Sequence, residues 1–201
     1  MIWYHCIVFS FSYKGTSVRI IVLTNGVCKN MRKKASTADN IYLLSAFAVM
    51  AILYYSSSMS YQEQSVQPIL NQWLENEPFR GLLERMAFMY AGSEVSIEAS
   101  GYVGFIEFFI RKGAHFISYF FLGLFWYLGL RNRVDNPYLT VLLAVMLSIG
   151  YASFDELRQS FHPNRTALME DVILDTAGAV TGIISGLLST KPRRRRSRVK
   201  V

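Results

Sequence analysis

Charge is in short supply in this sequence. Acidic and basic residues make up only 17% of its 201 positions, against 52% apolar residues. Soluble domains carry about a quarter charged residues, so an ordinary water-facing globular surface is hard to build from this chain. Cysteine is scarcer still. Cys6 and Cys28 are the whole complement, too few for a disulfide framework or a zinc site of their own. No H-E-x-x-H, G-x-S-x-G or Walker sequence occurs, so no local catalytic signature marks an enzyme. The net charge of +7 raises the question of nucleic acid, but seven of the 21 basic residues fall in the last eleven positions. That cluster lacks the interleaved aromatics that stack bases. It reads as a cytoplasmic membrane-flanking tail, and no nucleic-acid partner is expected.

What the chain does have is long apolar stretches, at about 41–59, 113–130, 138–154 and 172–190. A helix needs roughly 20 residues to cross the hydrocarbon, so the expected fold is all-α, an integral membrane four-helix bundle. Between the first and second spans, Ser60–Gly104 is polar and mixed, punctuated by Pro68 and Pro78. There I-L-N-Q-W-L and F-R-G-L-L-E-R-M-A-F-M-Y carry helical apolar spacing. They predict an amphipathic extracytoplasmic helical insertion on or near the membrane surface. The short connection 131–136 makes spans two and three a tight antiparallel hairpin. Span four carries Gly178, Gly182 and Gly186, a ladder of small residues that lets two helix backbones approach closely in lipid. Packing inside the bundle is expected from it more than homodimerisation, and the oligomeric state is not readable.

Residues 1–31 read as an N-terminal extension, because M-R-K-K-A-S-T-A-D-N at Met31 followed by an apolar run is how such a protein commonly begins. The extension is expected to be weakly ordered. Residues 32–190 form the membrane domain and 191–201 the basic tail. Counting Lys and Arg by segment, and leaving out Lys14 and Arg19, puts thirteen on the side of the two termini and six on the other. The positive-inside bias therefore predicts cytoplasmic N- and C-termini in a multi-pass cell-membrane protein. The connection between spans three and four then faces outward.

That connection holds the chemistry-bearing residues. From Tyr151 to Asp175 the chain packs Asp155, Glu156, Arg158, Gln159, His162, Arg165, Glu170, Asp171 and Asp175 between two apolar runs. Ionisable groups at membrane depth are costly and mark a functional site. Asp155 and Gln159 share a helix face, as do Asp171 and Asp175, while Lys112, His115 and Tyr119 stack along span two. The predicted site is one outer pocket uniting Lys112, His115, Tyr119, Asp155, Glu156, Gln159, Arg165, Asp171 and Asp175. Three readings of it compete. One is a structural network in which the acids pair with Lys112, Arg158 and Arg165 to satisfy buried charge. The second is recognition of an anionic headgroup, with Arg165 as a bidentate fork. The third is catalysis, with His115, Asp155 or Glu156 as candidates, or a hard divalent cation held by Asp155, Glu156 and Asp171. Neither a cofactor nor a resident metal is expected. An ion-coupled transporter is weaker, because only Asp175 sits deep in a span and no inverted repeat of broken helices occurs.

Three ordered motifs carry a family resemblance: K-G-A-H-F-I-S-Y (Lys112–Tyr119), D-E-L-R-Q-S-F-H-P-N-R (Asp155–Arg165) and D-V-I-L-D-T-A-G (Asp171–Gly178). With Y-Y-S-S-S-M-S-Y-Q-E-Q-S (Tyr54–Ser65) at the end of span one, they make residues 32–190 resemble the VanZ-like family, named for a teicoplanin-resistance accessory protein. Two positions depart from the pattern. Asn164 stands where the family often has Gly, and Asp175 where it often has Asn. The resemblance implies an integral membrane protein of the bacterial cell envelope and carries no settled reaction. Its partners would be membrane lipids, a lipid-linked envelope precursor or a lipid-tailed glycopeptide antibiotic. The corresponding expectation is that the outer polar site modulates how such molecules interact with the membrane. The alternative is a small membrane hydrolase or transferase acting on a lipid-linked phosphate.

Overall fold

The computed structural model describes residues 7–13, 16–22, 35–59, 64–161 and 168–190. Four helices are long and apolar enough to cross a membrane: α1 (Thr37–Ser58), α4 (Ile97–Leu130), α5 (Pro137–Gln159) and α6 (Met169–Ser189). Two short helices, α2 (Gln67–Trp73) and α3 (Arg80–Leu83), lie between the first two of these. The chain is an all-α four-span bundle and a multi-pass membrane protein.

Local chemistry starts each long helix. Ser36 and Asp39 form a reciprocal capping box at α1, with Ser36 N donating to Asp39 Oδ2 at 2.7 Å. This satisfies backbone donors that have no partner within the helix. Asn136 caps α5 by accepting from Tyr138 N at 2.9 Å, and Pro137 sits at its first turn, where its missing N–H costs nothing. Ser96 caps α4 through Ala99 N at 3.1 Å. Gly101, at φ 74°, then bends that helix near its start, a conformation that glycine reaches without a Cβ penalty.

The helices alternate in direction. At one end, Asn132 Nδ2 donates to Asp39 Oδ1 at 2.8 Å, and Tyr127 Oη lies 3.4 Å from Thr190 Oγ1. The start of α1, the α4–α5 turn and the end of α6 therefore share that end. The core between the helices is built from Ala46, Tyr119, Leu122, Ala144, Ala152, Ala179 and Ile183 among others. Leu44, Phe47, Leu142, Met146, Phe121 and Leu188 point outward and are exposed. An apolar exterior over an apolar interior is what a helix surrounded by lipid tails needs.

Close approach of α4 and α6 is the tightest packing in the bundle. A Cβ added at Gly182 would lie 1.9 Å from the Phe120 carbonyl oxygen, one at Gly178 2.4 Å from that of Phe116, and one at Gly123 2.2 Å from that of Ala179. Gly186 faces the Tyr127 ring at 2.6 Å by the same measure.

Several expected boundaries move. Past the break at Gly101, helix α4 runs unbroken over 102–130, about 44 Å at 1.5 Å per residue, so it outruns the hydrocarbon and starts well before residue 113. Its first turns are held by a second apolar cluster of Val95, Ile97, Tyr102 and Phe105 under the insertion. Helix α5 continues past 154 to Gln159, carried by Asp155 side-chain contacts to Arg158 and Gln159 one turn on.

The insertion is less helical than its apolar spacing suggested. Phe79–Tyr90 yields only the four-residue α3, and β3 (Phe88–Tyr90) then pairs antiparallel with β4 (Ser93–Val95). Ala91 and Gly92 both have positive φ, at 51° and 78°. That is the two-residue turn whose twist suits a hairpin, and it overrides the weak helical pattern. Part of the N-terminal extension, expected to be weakly ordered, forms a second hairpin of β1 (Ile7–Tyr13) and β2 (Thr16–Val22). Its β-branched and aromatic content favours strand pairing.

Candidate functional site

The end of the bundle opposite the capping box is where polar side chains gather. It is made by the end of α1, the middle of α4, the end of α5, the start of α6 and the hairpin β3–β4. A cavity of about 510 Å³ opens there. Of the predicted site residues, Lys112, His115, Glu156, Gln159 and Asp171 line it. Asp155, Asp175 and Tyr119 lie outside the lining, buried beneath or beside it. Arg165 and His162 fall outside the described residues.

On the α4–α6 side, Lys112 Nζ lies 2.5 Å from Asp171 Oδ1, with both side chains about four-fifths buried. Tyr90 Oη donates to the same Asp171 oxygen at 2.5 Å. The Lys112 ammonium also sits over the Tyr90 ring at 4.7 Å and the Phe108 ring at 5.7 Å. One lysine thus joins a carboxylate and two aromatic faces, which offset the cost of taking its charge out of water. The same contacts pin the hairpin to α6. Burial and the adjacent Asp171 carboxylate push the Tyr90 phenol above its ordinary range.

One turn deeper, His115 Nδ1 stands 3.5 Å from Asp175 Oδ2. The other Asp175 oxygen and the Tyr119 hydroxyl are buried without a hydrogen-bond partner among the described residues. Orphaned polar atoms at this depth are costly, and the Asp175 oxygen belongs to the carboxylate that faces the wall residue His115.

On the α1–α5 side, Asp155 Oδ1 accepts from Ser57 Oγ at 2.5 Å and from Arg158 Nη2 at 3.2 Å, and Oδ2 accepts from Gln159 Nε2 at 3.1 Å. Arg158 also donates to Ser58 Oγ at 2.7 Å and covers the Tyr54 ring at 4.5 Å. Asp155 is therefore a clasp between α1 and α5, which corrects its expected place in the pocket wall. Glu156 points to the opposite side. Its Oε1 accepts from Leu168 N at 2.6 Å and caps α6, whose preceding residue offers no side-chain cap.

The proposed cation set of Asp155, Glu156 and Asp171 does not converge. Each is turned to a different partner, and among the described residues no three His, Cys, Asp or Glu side chains gather as a metal site.

The sequence reading missed three contributors. Tyr90 was assigned to a helix, so its place on the wall was hidden. Glu107, only 2% exposed, accepts from Val66 N at 2.9 Å and Gln67 Nε2 at 2.7 Å, fixing the start of the insertion to α4. Its spacing of four from Arg111 was the available signal. Ser57 was visible only as part of a serine-rich helix end, whereas Arg158 was expected to pair with an acid and does so with Asp155.

Four helices long and apolar enough to cross a membrane define the class, a small helical membrane protein, and a polar, mixed-charge cavity lies at one end of its bundle. A family model described as VanZ/LLP1 matches residues 42–189. The chain belongs to that family. No curated protein matches it, and no solved structure does.

Proposed function

We propose that the chain binds the polar headgroup of a cell-envelope lipid or lipid-tailed glycopeptide in the cavity at its polar end, and so alters how such molecules interact with the membrane. The observation that carries this reading is the cavity itself. At about 510 Å³ it falls within the range of small-molecule sites, roughly 300–1,000 Å³. Arg111 and Lys112 on its wall stand where the uncharged part of α4 ends, which supports a position at the level of lipid headgroups. Membership of the VanZ/LLP1 family is consistent with an envelope role, and the lysine–arginine distribution supports an outward-facing cavity with both termini cytoplasmic.

The test is teicoplanin and vancomycin tolerance in a sensitive Gram-positive host at matched membrane levels. Tolerance to teicoplanin alone, lost in Lys112→Ala, supports the reading. Unchanged tolerance with the wild-type chain well expressed in the membrane overturns the glycopeptide part of it, and lipid binding then decides the rest.

One observation favours a hydrolase or transferase as the second reading. His115 lines the cavity with Asp175 behind it at 3.5 Å, an arrangement of base and orienting acid. Turnover of a lipid-linked phosphate that disappears in His115→Gln would establish it.

A further inference from the structure

The charges on the cavity wall select among headgroups, and this inference rests on the headgroup-binding reading above. Two cations face the cavity, Arg111 and Lys112, with three carboxylates, Glu94, Glu156 and Asp171. Each cation already has an acid beside it. Lys112 Nζ is 2.5 Å from Asp171, and Arg111 Nη2 is 3.7 Å from the buried Glu107. On the wall, His115 faces Asp175 beneath it, and away from the wall Arg158 faces Asp155. Glu94 also forms no ion pair among the described residues but is exposed to water, whereas Glu156 is buried. It is 7% exposed and lines the cavity, its Oε1 takes one backbone N–H, and it forms no ion pair among the described residues. A buried carboxylate without a cation is expensive, and a ligand bringing a positive group removes that cost. A purely anionic ligand adds to it.

We propose that the cavity takes a zwitterionic headgroup, a phosphate ester bearing a primary ammonium, with the ammonium at Glu156 and the phosphate beside Lys112. Gln159, also on the wall, supplies a neutral polar contact next to Glu156. A quaternary ammonium fits less well. Such groups are held by aromatic faces, and the two rings at the cavity, Tyr90 and Phe108, already hold Lys112. A primary ammonium can instead donate hydrogen bonds to a carboxylate, which are about twice as strong as neutral ones.

The experiment titrates the full-length protein in detergent with dihexanoyl phosphatidylethanolamine, phosphatidylglycerol and phosphatidylcholine, and with free phosphoethanolamine, by native mass spectrometry. The expected result is that phosphatidylethanolamine binds about tenfold more tightly than either other lipid, the worth of one charge-assisted hydrogen bond. Glu156→Gln keeps the oxygen that accepts from Leu168 N and loses only the charge, so it should fold and abolish the preference. Lys112→Gln should weaken phosphatidylethanolamine and phosphatidylglycerol alike. Equal or tighter binding of phosphatidylglycerol, or a preference unchanged in Glu156→Gln, overturns the zwitterion assignment and leaves headgroup binding intact. Binding of none of the lipids overturns the headgroup reading and this inference with it. Free phosphoethanolamine binding as tightly as its lipid supports the amine–phosphate chemistry and overturns a lipid as its source.

Discussion

Replacing Gly182 by alanine is the sharpest structural perturbation the bundle offers. The new Cβ would stand 1.9 Å from the Phe120 carbonyl oxygen, 2.8 Å from its carbon and 3.1 Å from Leu124 N. Real Cβ contacts stay beyond 3.0 Å, and all three neighbours are α4 backbone, which has no rotamer to escape into. The helices must part by about 1 Å at this point, a gap that forfeits a quarter to a half of each contact's dispersion energy along the seam. Overpacking of this kind costs about 1–3 kcal/mol. Gly150 is the matched control, since it lies in α5 and its added Cβ meets nothing within 4 Å. Alanine there should be neutral or slightly stabilising, because glycine is the poorer helix former. The assay is thermal unfolding of the purified protein in detergent, read by the loss of monodisperse protein on gel filtration. A Gly182→Ala protein as stable as Gly150→Ala would refute the close α4–α6 seam.

Three other perturbations probe the polar end. Asp155→Asn leaves Arg158 without its buried ion pair and should cost about 3 kcal/mol; combined with Ser57→Ala, the loss should be less than additive in the same thermal assay, because the two share one hydrogen bond. Tyr90→Phe releases the hairpin from Asp171 and should cost about 1 kcal/mol, with faster amide exchange confined to residues 88–95. The Tyr90 phenol is raised above its ordinary value of 10.0, so above about pH 10 the unfolded chain ionises before the folded one and stability falls as pH rises. Tyr90→Phe should remove that share of the alkaline loss, and an identical alkaline profile for the two proteins would contradict it. Glu107→Ala strands the Val66 and Gln67 donors and should make the segment 64–74 markedly more sensitive to limited proteolysis, with the four spans left intact.

The four spans were legible because hydrocarbon thickness acts on sequence directly: about 20 apolar residues per crossing leave a run that no soluble domain needs. The glycine ladder was legible for a related reason, since lipid gives no hydrophobic drive between helices and small side chains leave a visible spacing. The insertion was not. Phe88, Met89 and Tyr90 have an apolar pattern too short to separate strand from helix, and the positive φ of Ala91 decides the outcome at a residue whose type gives no warning.

The site was legible as a neighbourhood and not as a wall. Asp155 and Glu156 are adjacent in sequence and therefore point apart on a helix, one to Ser57 and Arg158, the other to Leu168 and the cavity. Which of the two faces the cavity depends on the rotation of α5 against α1, and that is set by contacts about a hundred residues away in the chain, such as Ser57 with Asp155 and Tyr151 with the Met50 carbonyl. Tyr90 reaches Asp171 across a similar separation. Pattern within one segment carries no record of such pairings.

The central claim is that the cavity at the polar end holds a lipid headgroup, and the most direct measurement is the lipid retained by the protein purified gently from its membrane. Ser93 is exposed and lines the cavity, so Ser93→Trp fills the space without disturbing the bundle. Native mass spectrometry should find a bound lipid on the wild-type chain and its loss from Ser93→Trp, with thermal stability in detergent unchanged. A wild-type chain that retains no lipid, or a filled variant that retains it equally, would contradict the account.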